Sequence, residues 1–157
     1  VGTSGIAGTN VVEQIKDAAL ARTSTVLGTS YRQLEYVRDL EKNNNKGKTK
    51  GYGIIVGEAT PSDDGINRSF QFDHTFTVVL TEHIERKKNE RDQETAALSL
   101  ATAMDSIVKD FQEKRLGLPS LVIQVQHPTI EEPQILEDGS TVVLRASFPV
   151  IYRQAFR

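Results

Sequence analysis

FQFDHTFTVVLTEHI, residues 70–84, alternates along its whole length. Phe70, Phe72, His74, Phe76, Val78, Leu80, Glu82 and Ile84 fall on one side of an extended chain, and Gln71, Asp73, Thr75, Thr77, Val79, Thr81 and His83 fall on the other, because successive strand side chains point to opposite faces. One face is apolar and the other is rich in threonine. Antiparallel sheets covered on one side read this way, whereas the strands of a doubly wound parallel sheet are apolar on both faces. The stretch predicts a one-sided, mostly antiparallel sheet.

Outward from this strand, the charged run 85–92 ends it, and Asp92 stands as an N-cap with Glu94 in the first turn. Ala97, Leu100, Ala101, Met104, Ile107, Val108 and Phe111 then recur at helical spacing, and Lys114, Arg115 and Gly117 close the element. A helix over about 92–116 follows, about 36 Å long and able to cross a sheet. Beyond Pro119, strands are predicted at 121–126, 134–137 and 141–152, the last two joined by the turn dipeptide Asp138-Gly139. Pro149 cannot donate to a ladder, which predicts that its part of the last strand lies at an edge or bulge.

Toward the N-terminus, Tyr52-Gly53-Ile54-Ile55-Val56 reads as a short buried strand. Residues 61–65 read as a turn, and in 31–40 Tyr31, Leu34, Val37 and Leu40 fit a three-residue helical period while Leu34 and Tyr36 also suit a further short strand, the reading favoured here. Asn10 and Glu13 resemble a capping box that opens a helix over 10–22 bearing Val12, Ile15 and Ala19, with Thr23-Ser24-Thr25 and Gly28 as its punctuation. Residues 41–50, EKNNNKGKTK, carry no apolar side chain and predict a mobile basic loop. The glycine-rich 1–9 predicts a flexible arm, and a chain opening on Val1 is expected to be processed or trimmed. Helix, strands, long helix and strands, with no repeat, give one α+β domain over 1–157: a mostly antiparallel sheet packed against two helices.

Composition fits that size. The 157 residues, 38% hydrophobic and 25% charged, are enough to bury about 70% of the unfolded surface. A net charge of -2 supplies no global positive field for a phosphate backbone. The absence of cysteine excludes disulfides, thiolate metal sites and a thiol nucleophile. The apolar runs are only a few residues, far short of the ~20 of a spanning helix, so no membrane partner is expected.

Motifs for chemistry are thin. Gly47-Lys48-Thr49 ends like a P-loop, but Lys42 occupies the place of the first glycine. Asp63-Asp64-Gly65-Ile66-Asn67 lacks the spacing and late glutamate of a calcium loop, and Asn67-Arg68-Ser69 matters only on a secretory route. Asp73 and His74 point to opposite faces, and His83 lies about 33 Å from Asp73 along a straight strand. All three histidines, His127 included, read as structural. No catalytic, cofactor-binding or metal-binding residue is predicted, and no enzyme. Lys42, Lys46, Lys48 and Lys50 remain as a candidate contact loop for a phosphate backbone or an acidic partner.

The pattern F-D-H-x-F-x-V-x-L at 72–80, the lead-in YRQLEYVRDLEKN at 31–43 and the closing VVLRASFPVIYR at 142–153, set in this element order, resemble the tail terminator (tail completion) proteins of long-tailed bacteriophages. The resemblance spans roughly 10–153 and implies a virion structural protein without catalytic residues or cofactor. It implies a hexameric ring of identical copies at the head-proximal end of the tail, assembled in the host cytoplasm. Its expected partners are the tail tube protein and the head-tail connector proteins, and DNA would pass through the lumen without sequence-specific binding. A near-neutral to acidic ring would let a duplex slide. A different head-tail connector, or a small ligand-binding α+β module, is the alternative.

Overall fold

The computed structural model describes residues 11–40, 50–61, 69–84, 90–136 and 139–155. In order these form helix α1 (Val11–Leu27), strands β1 (Arg32–Gln33), β2 (Lys50–Pro61) and β3 (Ser69–His83), helix α2 (Glu90–Lys114), and strands β4 (Val122–Val125), β5 (Thr129–Ile130), β6 (Gln134–Ile135) and β7 (Thr141–Ala155). All seven strands share one sheet, ordered β1-β2-β3-β7, with β4, β5 and β6 following one another end to end along the far edge of β7. Every pairing is antiparallel except β1 with β2. The expected α+β architecture is observed. The expected N-terminal arm, residues 41–49, residues 62–65 of the expected turn, Asp138 and Asn67-Arg68 of the glycosylation tripeptide lie outside the described residues, whereas Pro61 is the last residue of β2.

The core forms between the helices and the apolar face of β3 and β7. Phe76, Val78 and Leu80 of β3 meet Val142, Leu144, Ala146, Phe148, Val150 and Tyr152 of β7, under Leu100, Met104, Ile107, Val108 and Phe111 of α2 and Ile15 and Ala19 of α1. The two helices are tied by a forked ion pair: Arg22 Nε donates to Asp110 Oδ1 at 3.0 Å, and a second guanidinium nitrogen donates to Oδ2. The hydrogen bond to Asp110 holds the Arg22 guanidinium above its already high range.

Several sequence expectations change in physically instructive ways. Helix α1 runs to Leu27 instead of ending at 22. The Thr23 and Thr25 hydroxyls bond back to the carbonyls of Ala19 and Ala21, so they do not compete with the helix, and Gly28 closes it at φ 78°. Asp92 lies inside the first turn of α2, not at its cap. In the stripe of α2, Ala96 is buried where Ala101 was expected, and Ala101 is exposed. The chain leaves α2 through two left-handed residues, Arg115 (φ 47°) and Leu116 (φ 58°), before Gly117. Each costs about 1–2 kcal/mol, but the turn drops Leu116 into the core, where burial returns about 1.5–3 kcal/mol.

Residues 31–40 form only a two-residue strand, and the remainder folds across the second face of the sheet. Leu34 and Leu40, with Val37 alongside, pack on Val79 and Val143. One end of the threonine-rich face is therefore covered, and Thr81 is buried. The other end keeps Thr75, Thr77 and Ser147 half-buried, Thr77 and Ser147 sharing a 3.0 Å hydrogen bond.

Pro149 is not at an edge. Strand β7 is interior, and Pro149 pairs with Thr75 of β3. Its carbonyl accepts from Gln126 N at 2.9 Å, and on a strand the missing N–H lies on that same side. There β4 gives way to β5 at His127-Pro128, so no donor is called for. Strands β6 and β7 pair antiparallel, as a hairpin requires, with Gly139 at φ 69° just before β7.

Candidate assembly surfaces

The titratable side chains on β3 serve the fold. A bulge at Gly57-Glu58 breaks the β2–β3 ladder between Val56 and Ala59. His74, buried against Phe76, donates from Nε2 to the Gly57 carbonyl at 2.9 Å. With the proton on Nε2, Nδ1 accepts from the Tyr152 hydroxyl at 3.3 Å, and burial raises the pKa of that phenol. His83 pairs with Thr141 Oγ1 at 3.2 Å, ten positions along the strand from Asp73. His127 is exposed. Among the described residues no three His, Cys, Asp or Glu side chains gather into a metal site, and no helix is long and apolar enough to cross a membrane.

Of the candidate contact loop, Lys42, Lys46 and Lys48 lie outside the described residues, as does the P-loop-like Gly47-Lys48-Thr49. Lys50 is described, and it is already engaged. Its Nζ lies 3.7 Å from Glu82 Oε1 and 5.5 Å from the centre of the Tyr31 ring. Burial, with the charge of Glu82 second, pushes the Tyr31 phenol up to about 12 against an opposing hydrogen bond to Ser99. The Lys50 charge faces a largely buried carboxylate.

Surfaces with unmet apolar area lie elsewhere. Among the described residues four large apolar side chains are exposed: Leu98 (63%), Ile130 (48%), Ile135 (46%) and Tyr36 (40%). Ile130 and Ile135 belong to one flank, the outer edge formed by β5 and β6. Ile130 and Ile135 pair with Ala146 and Val142, whose side chains face the helices, and opposed residues share a face. Leu98 follows Ala97 round α2 beyond the core stripe. Between helix and strands lies an open groove of about 470 Å³, with Ala97, Pro133, Ile135 and Val142 as apolar lining and Gln93, Glu94 and Glu132 as polar rim.

Sequence reasoning missed β5 and this flank. Leu98 stood outside the helical stripe, and that was the available signal of exposed apolar area. Ile130 and Ile135 read as ordinary strand residues, because edge or interior position depends on pairing across the chain.

No protein-family model matches the chain, and a search of curated proteins finds no match. Among solved structures, a chain described as "Virion of native gene transfer agent (GTA) particle" aligns at a TM-score of 0.45 with 11% identity, covering 93% of this chain and 100% of that one.

Proposed function

We propose that this chain is a virion structural protein, a tail terminator that forms a hexameric ring on the last ring of a phage tail tube. The ring halts elongation and offers the head its docking surface. The observation that carries this reading is the exposure of Ile130 and Ile135 on the outer strands of the sheet, beside an open groove, with Leu98 also exposed on α2. Such a flank calls for a protein partner, and the buried imidazole of His74 is engaged with Tyr152 and Gly57. Heterologous contacts of one flank with a different surface of the next copy close into rings. The tail-terminator resemblance of the sequence supplies the particular assembly. In this reading Lys42, Lys46, Lys48 and Lys50 contact tube or connector, and DNA passes through the ring without base contacts.

The groove itself favours a second reading, a small ligand-binding module, since its volume lies within the range of ligand pockets. Electron microscopy of particles assembled without the chain separates the two. A terminator leaves overlong, headless tails of uneven length. Particles with heads joined to tails of normal length contradict it.

A further inference from the structure

Ile135 offers both backbone and side chain to an outside strand. Leu136 N donates to the Thr141 carbonyl at 2.9 Å. Backbone amides alternate sides along a strand, so Gln134 turns inward to its partner Val143 as Leu136 does, and the N–H and C=O of Ile135 point away from β7. Among the described residues β6 pairs with β7 alone, so this outward pair meets no other strand. Pro133, just before β6, has no N–H to offer. An open edge is a template for a further strand, and here the bonding point is Ile135.

The groove lies beside the same residue. The Ile135 side chain shares the helix-side face with its partner Val142 and is half-exposed over a floor that Ala97, Pro133 and Val142 complete. Glu94 and Glu132 stand on the rim, and no Lys or Arg lines the groove among the described residues. Of the described cations nearby, Arg145 bonds Gln134 Oε1 at 2.7 Å on the opposite face of the sheet, where Val143 lies. Arg91, exposed on α2, is not part of the lining. Two carboxylates over an apolar floor favour a cationic occupant with an aliphatic anchor.

We propose that the groove receives an extended basic segment of a partner protein, added as a short edge strand at Ile135. In this mode main-chain hydrogen bonds give affinity and alternate side chains give specificity. The partner residue opposite Ile135 shares its face, and an aliphatic side chain there lies on the apolar floor. Residues two positions to either side return to that face about 7 Å away, where Lys or Arg meets Glu94 and Glu132. The recognised pattern is basic-x-aliphatic-x-basic. It does not depend on the ring.

The test is a titration of the nitrogen-15-labelled chain, followed by NMR, with the blocked peptide Ser-Lys-Thr-Ile-Thr-Lys-Ser at low salt. The amides of Ile135, Ala97 and Val142 are expected to shift together and saturate with a Kd below about 1 mM. The same peptide with Glu for both Lys, and the one with its isoleucine nitrogen methylated, should each bind at least about tenfold more weakly. Glu94 and Glu132 are exposed, so Glu94→Lys with Glu132→Lys should keep the remaining spectrum unchanged and reverse the preference to the acidic peptide. Absence of a saturable shift at Ile135, or equal binding of the basic and acidic peptides, overturns the proposal. So does a shift at Ile135 that follows protein concentration alone and ignores the peptide, which assigns the groove to a second copy.

Discussion

Phe148→Ala is expected to destabilise the protein by about 3–5 kcal/mol in urea unfolding, a large part of the ~5–15 kcal/mol available to a domain of this size. Phe148 is fully buried in the interior strand β7. It pairs with Phe76 of β3, and its ring lies 5.0 Å from that of Phe111 on α2. Sheet and long helix meet at this point, so truncation removes aromatic contact on both sides and leaves a cavity between two rigid layers that collapse poorly. Leu98→Ala is the internal comparison. That side chain is exposed, and its removal should change stability by no more than about 0.5 kcal/mol. A loss below about 1 kcal/mol at Phe148 would mean that helix and sheet are not packed as described.

Gly51→Ala tests the second layer, and here the sign of the effect decides. On a sheet open on that face, replacing a strand glycine by alanine is neutral or stabilising by about 0.5–1 kcal/mol, because glycine loses more backbone freedom on folding. With 31–40 folded across that face, a Cβ at Gly51 would come within 2.4 Å of Leu34 Cδ2, 2.9 Å of Leu34 Cγ and 2.8 Å of Thr81 Oγ1. At Gly53 it would come within 2.6 Å of Val37 Cγ2. Overpacking of this kind costs about 1–3 kcal/mol, and each replacement is therefore expected to destabilise. The Leu34 amide, which donates to the Tyr52 carbonyl at 2.9 Å, should exchange faster in Gly51→Ala. Stabilisation of either variant would show that the face is open.

The same segment shows how far the sequence could be read. Strand β3 and helix α2 were legible because their periods of two and 3.6 are written in long runs of side chains, and the 138–139 hairpin because its turn residues act locally. The 31–40 segment misled because Leu34, Val37 and Leu40 mark three inward contacts of an irregular cover, and three points fit a strand or a helix about equally well. Val79, the one aliphatic side chain on the threonine-rich face of β3, was the visible sign that something lies over it. Pro149 misled for another reason. Its missing donor was correctly noted, yet whether a strand is interior depends on partners far along the chain, and here three short strands share one edge of β7. The assembly flank was hidden in the same way: Ile130 and Ile135 acquire meaning only once β5 and β6 are known to be outermost. Lys50 looked like part of a basic loop until Glu82, 32 positions on, appeared as its ladder partner.

The energetic division that results is consistent with a component that must fold before it assembles. Aromatic and aliphatic burial between the helices and the β3–β7 pair supplies stability within one copy. The exposed Leu98, Ile130 and Ile135 add little to that core, and in the proposed function their area is what a neighbour would cover.

The central claim is tested most directly by adding the purified protein to growing tail tubes and imaging the tube ends while length is followed. Hexameric rings should sit on the ends, elongation should stop, and Ile135→Asp should abolish both while the variant remains folded. Tubes that lengthen at an unchanged rate with bare ends would contradict the account.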